Sequence, residues 1–488
     1  MIASLVPASL DDARRLVRLV PPAANGIEWR LDLAPGGISP RALLELDPRV
    51  AIVTWRTFRE GGRFSGTREE YRRHVLSAYE AGAVVDVELE SGVLADRDFL
   101  PDRRRVIGSF HGASLSEARV RAALAHDVAA LKLVLTDPGT VADALACLDL
   151  LRLPAREKPL ACFATGIRGA ATRVLAPRFG SALAYGSVDG DPTGTGQIPL
   201  AELAGVYGAA GAPPEKIFAV YGEDVGGSLS PSIHNALFRH RRLPWLYVPL
   251  SASRRESESA SPIAADLVAL DGVGRNLSGI SVTNPFKHDF GGVAVPDGET
   301  ERIGAANTLV RRRPECLDLT AHNTDVRAVR EALGRLGGGR VVVLGTGGAA
   351  RAALAAAAAL GRETGVAGRS PAKAAALAAR FGASVVDAER ALPDVWVNAT
   401  TLGSAADDPL PLPARSLGPE SAVVDFVYYR RGDTPLVREA RARGARVVDG
   451  RELLARQAAG QAELFGVADA TFEEIDAVLR DAPVGGGA

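Results

Sequence analysis

The sequence predicts an α/β protein in which an N-terminal (β/α)8 TIM barrel precedes a two-lobed α/β unit whose second lobe is a Rossmann domain. Three observations predict it. Residues 1 to about 205 hold eight short apolar runs, each followed by a helical pattern or long loop; in so few residues this suits a barrel better than an open sheet. A short Gly/Ala/Pro stretch, Gly208–Pro214, then interrupts the pattern, and strand–helix alternation restarts at Lys216-Ile-Phe-Ala-Val-Tyr221. Finally, Val341-Val-Val-Leu-Gly-Thr-Gly-Gly-Ala-Ala350 reads as strand, Gly-rich turn and helix. The implied map is a barrel over 1–207, a linker over 208–215, a first lobe over 216–325, a dinucleotide lobe over 326–450, and helices over 451–480 that return to the first lobe. Each side of the linker is expected to bury its own core and to fold alone.

In order, the barrel strands are expected at Ile2–Val6, Ile27–Leu33, Val50–Arg56, Val84–Leu89, Val106–His111, Ala129–Val134, Leu160–Ala164 and Ala182–Gly186. Helical periodicity separates them, as over Arg68–Ala81 and Ser116–His126. Beyond the linker, Ser251–Pro262 is Ser- and charge-rich and is expected to be an exposed, mobile loop. The Gly-rich tail after Pro483 is expected to be disordered.

Composition narrows the partners. A net charge of −1 in 488 residues argues against a nucleic-acid polyanion, and no apolar run approaches membrane-spanning length. Met1-Ile-Ala-Ser-Leu-Val-Pro7 lacks a basic leader region, so a cytoplasmic protein acting on small molecules is expected. Cys147, Cys162 and Cys316 are isolated, and neither a disulfide nor a metal site is expected. Lysine is rare: arginine has replaced it except at five positions, including Lys132 and Lys287. Arginine cannot stand in where a neutral amine must form an imine or move a proton. Lys132 sits inside the apolar run Ala129–Leu135, and Lys287 closes Ser281-Val-Thr-Asn-Pro-Phe-Lys287.

The barrel half gathers polar residues at strand ends, where this fold carries chemistry. The second strand has Glu28, Arg30 and Asp32 in alternation, the third ends at Arg56 and runs into Glu60, and the fourth has Asp86 and Glu88. The fifth ends Ser109-Phe-His111 and the sixth contains Lys132. Asp32 and Glu88 read as ion-pair partners. A lysine beside carboxylates and a histidine suits imine formation with a ketone, with the histidine removing the adjacent proton and protonating the leaving group. Arginines at the same mouth would grip a carboxylate. With Gly169-Ala-Ala-Thr-Arg-Val-Leu175 and Gly194-Thr-Gly-Gln-Ile-Pro199, these motifs resemble the type I 3-dehydroquinate dehydratases over residues 1–205. The resemblance implies Lys132 as Schiff-base lysine and His111 as proton shuttle. It implies Glu28, Arg30, Arg56, Arg173 and Gln197 as substrate contacts and Glu60 as support, with Thr193 where the family usually has serine.

In the C-terminal half, Gly226-Gly-Ser-Leu-Ser-Pro-Ser-Ile-His-Asn235 sets two serines at a helix start, where backbone donors favour an anion. With Ser281–Lys287, Gly304–Leu309 and His322-Asn-Thr-Asp325, it resembles the shikimate dehydrogenase family over about residues 216–470. The resemblance implies Lys287 and Asp325 as the catalytic pair, Ser228 and Ser230 as carboxylate ligands, and Ser281, Thr283, Asn307, Tyr428 and Gln457 as further substrate contacts. Gly227 replaces a usual histidine, Ser281 an asparagine, and Asn284-Pro-Phe286 the commoner Ile-Pro-His. The cofactor side would use Gly345, Gly347, Gly348, Ala349, Thr400 and Gly450. Arg369 and Ser370, with no acidic residue for a ribose hydroxyl, favour the 2′-phosphate of NADP, although Gly368 stands in for the family's asparagine. Together the two resemblances imply a bifunctional enzyme that dehydrates 3-dehydroquinate and reduces the product, 3-dehydroshikimate, to shikimate; a homodimer stays open. The rivals are a catabolic NAD-dependent quinate/shikimate dehydrogenase, against which Arg369 argues, and a regulatory pseudoenzyme, against which Lys132, His111, Lys287 and Asp325 argue.

Overall fold

A computed structural model describes residues 1–96, 98–153, 158–188, 192–208, 211–223, 225–253, 262–274 and 276–481. The expected tail beyond Pro483, residues 254–261 of the expected Ser-rich loop, and 209–210 of the linker lie outside the described residues.

The N-terminal half is a curled parallel sheet of β1 (Ile2–Leu5), β2 (Gly26–Arg30), β3 (Val50–Thr54), β4 (Val84–Glu88), β5 (Val106–Gly112), β6 (Ala130–Leu135), β7 (Leu160–Ala164) and β8 (Tyr185–Ser187). Its order is β7-β6-β5-β4-β3-β2-β1-β8. The helices are α1 (Leu10–Leu19), α2 (Pro40–Leu44), α3 (Arg68–Glu80), α4 (Glu117–Leu124), α5 (Val141–Ala146), α6 (Gly166–Leu175) and α7 (Leu200–Gly205). Helix α3 shows why: Thr67 and Glu70 form a reciprocal capping box, and Tyr71, Val75, Ala78 and Tyr79 bury one face at helical spacing.

Three expected strand ends move by more than one residue. The second strand stops at Arg30 because the Leu33 N–H turns back onto the Arg30 carbonyl, so Asp32 lies in a turn. The third stops at Thr54, two residues short of Arg56. The eighth starts at Tyr185 because Ser181 Oγ donates to the Leu183 carbonyl and keeps that stretch turned. The ladder stays open between β7 and β8 among the described residues, where the Ala182 N–H bonds the Leu160 carbonyl at 2.8 Å.

The first C-terminal lobe runs β9 (Lys216–Gly222), α8 (Ser230–His240), β10 (Trp245–Ser251), α9 (Ile263–Gly274), β11 (Leu277–Val282), β12 (Ala294–Pro296), α10 (Gly298–Ile303), β13 (Thr308–Arg311) and β14 (Leu319–His322). Its mixed sheet has the order β10-β9-β11-β13-β14-β12. Helix α11 (Thr324–Leu336) leads to the second lobe: β15 (Val341–Leu344), α12 (Gly348–Ala359), β16 (Thr364–Ala367), α13 (Pro371–Phe381), β17 (Ser384–Val385), β18 (Val395–Asn398), β19 (Ala422–Asp425), α14 (Pro435–Ala442) and β20 (Arg446–Val448). These strands are parallel in the order β17-β16-β15-β18-β19-β20, which puts a topological switch point, and hence a ligand crevice, between β15 and β18. Helices α15 (Gly450–Leu464) and α16 (Phe472–Asp481) return to the first lobe, burying Leu454, Ala458 and Ile475 against Phe218, Phe238 and Tyr247.

The expectation of a separate core on each side of the linker is not met. One apolar cluster runs from the barrel, through Leu145, Leu148 and Ala171, into Leu246, Leu267, Leu270 and Phe286 of the first lobe. Helices α5 and α6 pack directly on α9 and β10. Each leucine so buried contributes ~1.5–3 kcal/mol, so cutting the chain here exposes surface that both halves need covered. Among the described residues, no helix is long and apolar enough to cross a membrane.

Candidate active sites

All nine residues expected at the first site meet around one cavity of about 240 Å³ at the C-terminal ends of the barrel strands: Glu28, Arg30, Arg56, Glu60, His111, Lys132, Arg173, Thr193 and Gln197. Lys132 projects inward from β6. Its Nζ donates to Glu28 Oε1 at 2.8 Å and Asp86 Oδ2 at 3.2 Å, and lies 4.1 Å from the centre of the Tyr185 ring. Burial works to raise Glu28, but the charges of Lys132 and then Arg30 hold it below the usual carboxylate range. Asp86, opposed by burial but facing Arg56 and Lys132, falls to about 2. Sequence reasoning placed Asp86 on its strand without assigning it to the site and missed Tyr185. Arg56 is buried among carboxylates, 2.8 Å from Asp86, 3.2 Å from Glu60 and 3.4 Å from Glu88. Asp32 takes Arg30 in a bidentate pair, 2.8 and 2.9 Å, and Arg30 also donates to the Thr193 carbonyl. Thr193 in turn joins Ser4 and Gln197.

Two groups here are shifted toward their uncharged forms. Burial raises Glu60 to about 8 against the pull of Arg56. Burial, followed by the charges of Arg56, Lys132, Arg30 and Arg173, holds His111 well below its usual value. Both shifts favour the uncharged forms, so burial works against an ion pair at their 3.3 Å contact. Arg173 differs from its neighbours. It is buried, makes no ion pair with a described residue, and its Nε has no hydrogen-bond partner. Burial lowers it to about 10, which marks a cation awaiting an anion.

The second cavity, about 500 Å³, lies between the two C-terminal lobes and is lined by Ser228, Ser230, Ser281, Thr283, Lys287, Asn307, Asp325, Tyr428 and Gln457, all expected. Lys287 Nζ donates to Asp325 Oδ2 at 2.6 Å, and Asn307 Nδ2 donates to Asp325 Oδ1 at 2.9 Å. Asn307 is itself fixed by the Thr324 N–H at 2.8 Å, so the carboxylate faces the lysine in one orientation. Ser228 Oγ accepts the Ser230 N–H at the start of α8. Ser281 accepts from Tyr247 at 2.6 Å and donates to Gln461 at 2.9 Å. Gln461 also lines the cavity, and sequence reasoning missed it; it lies one helical turn beyond Gln457, which is the signal that could have found it.

The dinucleotide turn fits a pyrophosphate. Gly345 has φ +115°, and a Cβ there would sit 2.6 Å from the Ala399 carbonyl, so only glycine brings β15 this close to the loop carrying Thr400. Gly347 caps α12 with no side-chain acceptor, leaving the first-turn donors of Gly348 and Ala349 facing the crevice end of the sheet. A Cβ on Gly348 would lie 2.9 Å from Lys287 Cβ, so the turn abuts the lysine stem. Arg369 is exposed at the tip of β16 and bonds no described residue, while Ser370 caps α13. Thr400 braces its own loop through Asn398 at 2.7 Å. Gly450 opens α15 against the Val427 carbonyl, on the wall of the second cavity. No group of three or more His, Cys, Asp or Glu side chains among the described residues is placed to hold a metal.

The family model for type I 3-dehydroquinase matches residues 1–213, and that for the shikimate dehydrogenase substrate binding domain matches 220–309. The shikimate dehydrogenase (NADP(+)) of Natronomonas pharaonis is 35% identical over 274 residues, covering 54% of this chain and 98% of that protein. The chloroplastic bifunctional 3-dehydroquinate dehydratase/shikimate dehydrogenase of Arabidopsis thaliana is 27% identical over 479 residues, 90% of this chain and 76% of that one. Among solved structures, shikimate 5-dehydrogenase from Thermus thermophilus in complex with NADP(H) and shikimate is 33% identical, with a TM-score of 0.49 over 55% of this chain and 100% of that chain.

Proposed function

The chain belongs to the shikimate dehydrogenase family, with a type I 3-dehydroquinase domain ahead of it, and from that premise we propose how its residues divide two consecutive reactions. The barrel dehydrates 3-dehydroquinate to 3-dehydroshikimate, and the C-terminal unit reduces that product with NADPH to shikimate. The observation that carries this reading is that one chain holds two separate cavities, each centred on a lysine with its proton-handling partner in place.

In the barrel, Arg173 takes the substrate carboxylate, supplying the charge partner it lacks. Lys132, once it has given up its proton, attacks the ketone carbon; the N–C bond forms and the carbonyl oxygen leaves as water. The iminium draws electrons from the adjacent carbon while neutral His111 removes its proton. The resulting imidazolium returns that proton to the departing hydroxyl, and water then hydrolyses the imine to free product and lysine, for a net loss of one water. Glu60, uncharged, orients the His111 ring without trapping its proton.

In the second cavity, Ser228 and Ser230 receive the carboxylate, and Thr283, Asn307 and Gln457 receive hydroxyls. The Gly345–Ala349 turn would hold the pyrophosphate of NADPH and Arg369 its 2′-phosphate, and the cofactor would supply a hydride. Lys287 gives a proton to the ketone oxygen as it becomes an alcohol, and Asp325 keeps the lysine charged until that transfer. We place both reactions in the cytoplasm, on small molecules. The test separates the sites within the intact chain. Lys287→Ala should stop NADPH oxidation while 3-dehydroshikimate accumulates, and His111→Ala should spare reduction of added 3-dehydroshikimate. Loss of both activities in a folded His111→Ala protein would overturn the two-site reading.

A further inference from the structure

Two arginines tie the edge of the dehydrogenase pocket to the barrel. Arg430 follows β19 on the dinucleotide lobe, two residues beyond Tyr428. Its guanidinium donates to Glu202 Oε1 on barrel helix α7 at 2.8 Å and to the Gly226 carbonyl at 3.0 Å. Gly226 is in the tight turn closed by the Ser228 N–H on the Val225 carbonyl at 3.1 Å, so fixing its carbonyl fixes where Ser228 points. The far end of the same segment is tied to the barrel as well: Arg239, at the end of α8, donates to the Val206 carbonyl just after α7 at 2.6 Å. Both ends of the stretch carrying Ser228 and Ser230 are thus anchored to the last barrel helix.

The contact has the character of a fixture. Glu202 is buried, with 11% of its side chain exposed against 22% for Arg430, so screening is weaker than for a surface pair. A guanidinium holding an acceptor on each of two elements cannot serve one without being oriented by the other. Without the Glu202 carboxylate, Arg430 loses the partner that aims it at Gly226, and the glycine turn Gly226-Gly227 has little stiffness of its own.

We infer that Glu202 and Arg430 are positioning residues for the dehydrogenase, through which the barrel sets the affinity of the second site for its carboxylate-bearing substrate. The inference rests on reading Ser228 and Ser230 as the carboxylate cradle.

The test uses the full-length chain. Glu202→Gln should raise KM for 3-dehydroshikimate about tenfold, the loss expected for one charge-assisted contact, at nearly unchanged kcat and unchanged KM for NADPH. Dehydratase kinetics of the same preparation should stay at the wild-type level, which also shows the variant is folded. Arg430→Gln should match it, Arg430→Lys should fall between, and the double variant should be no worse than either single one. Ser228→Ala separates the two levels of argument. A KM raised by Ser228→Ala but unmoved by Glu202→Gln overturns this inference alone, as would additive losses in the double variant. A KM unmoved by Ser228→Ala overturns the cradle reading and this inference with it.

Discussion

Arg173→Met removes a buried cation that makes no ion pair with a described residue, and its effects on stability and on binding should have opposite signs. Depression of the guanidinium from 12.5 to about 10 by burial corresponds to a penalty of about 3 kcal/mol for keeping that charge in the cavity wall. The face of Phe163, 4.9 Å away, offsets part of that and is lost with the charge; a cation over a ring contributes about 0.5–1 kcal/mol, so the net penalty is about 2 kcal/mol. Methionine keeps the apolar stem and drops the charge, so the ligand-free protein should melt no lower than wild type and gain up to about 2 kcal/mol. Binding should move the other way: losing a charged partner for the substrate carboxylate costs about 1.5–3 kcal/mol, or about 10–100-fold in KM for 3-dehydroquinate. The assay pairs thermal melts of ligand-free protein with dehydratase initial rates. A lowered melting midpoint with unchanged KM would refute the reasoning and make Arg173 a structural residue.

Borohydride added with 3-dehydroquinate should trap an adduct on the peptide bearing Lys132, and Lys132→Arg should abolish both trapping and dehydration because guanidinium is not a nucleophile here; an adduct elsewhere would sink the assignment. Arg369→Ala should raise KM for NADPH by the equivalent of about 1.5–3 kcal/mol and leave NADH kinetics nearly untouched, since only NADPH has a 2′-phosphate to lose; equal effects on both would make Arg369 structural. Glu60, raised from 4.5 to about 8, favours the folded state while protonated, so its contribution is full below pH 4.5 and lost as pH rises through about 8. Glu60→Gln, neutral at every pH, should therefore lack that decline, and the stability gap in denaturant melts should swing by up to about 4 kcal/mol toward the variant between pH 4.5 and 9. Parallel stability curves for the two proteins would contradict it.

Much of the site was legible because each fold puts chemistry where sequence motifs can be read. Lys132 inside an apolar strand, His111 at a strand end and Glu28 on an inward face needed only strand alternation to be brought to one mouth. Asp86 shows the limit: its bond to Lys132 joins β4 to β6, and no linear spacing encodes which carboxylate meets which amine across a curled sheet. Alternation also overran the second strand, since Arg30 and Asp32 fit the period equally well and only the turn bond at Leu33 ends it. The continuous core was hidden for a different reason. Gly208–Pro214 has the composition of a linker, but α9 is apolar on two faces, with Leu267 and Leu270 buried on one and Val268 62% exposed on the other, so its periodicity does not mark which face is covered. Helix α5 covers one of them, and Asp266 on α9 accepts the Ala142 N–H at the start of α5.

The central claim, two sites working in sequence on one chain, is tested most directly by following NADPH absorbance after adding 3-dehydroquinate alone. The account predicts steady oxidation by the wild-type protein, none by Lys132→Arg, and wild-type rates in that variant once 3-dehydroshikimate is supplied. Oxidation of NADPH by Lys132→Arg on 3-dehydroquinate, or none by wild type, would contradict it.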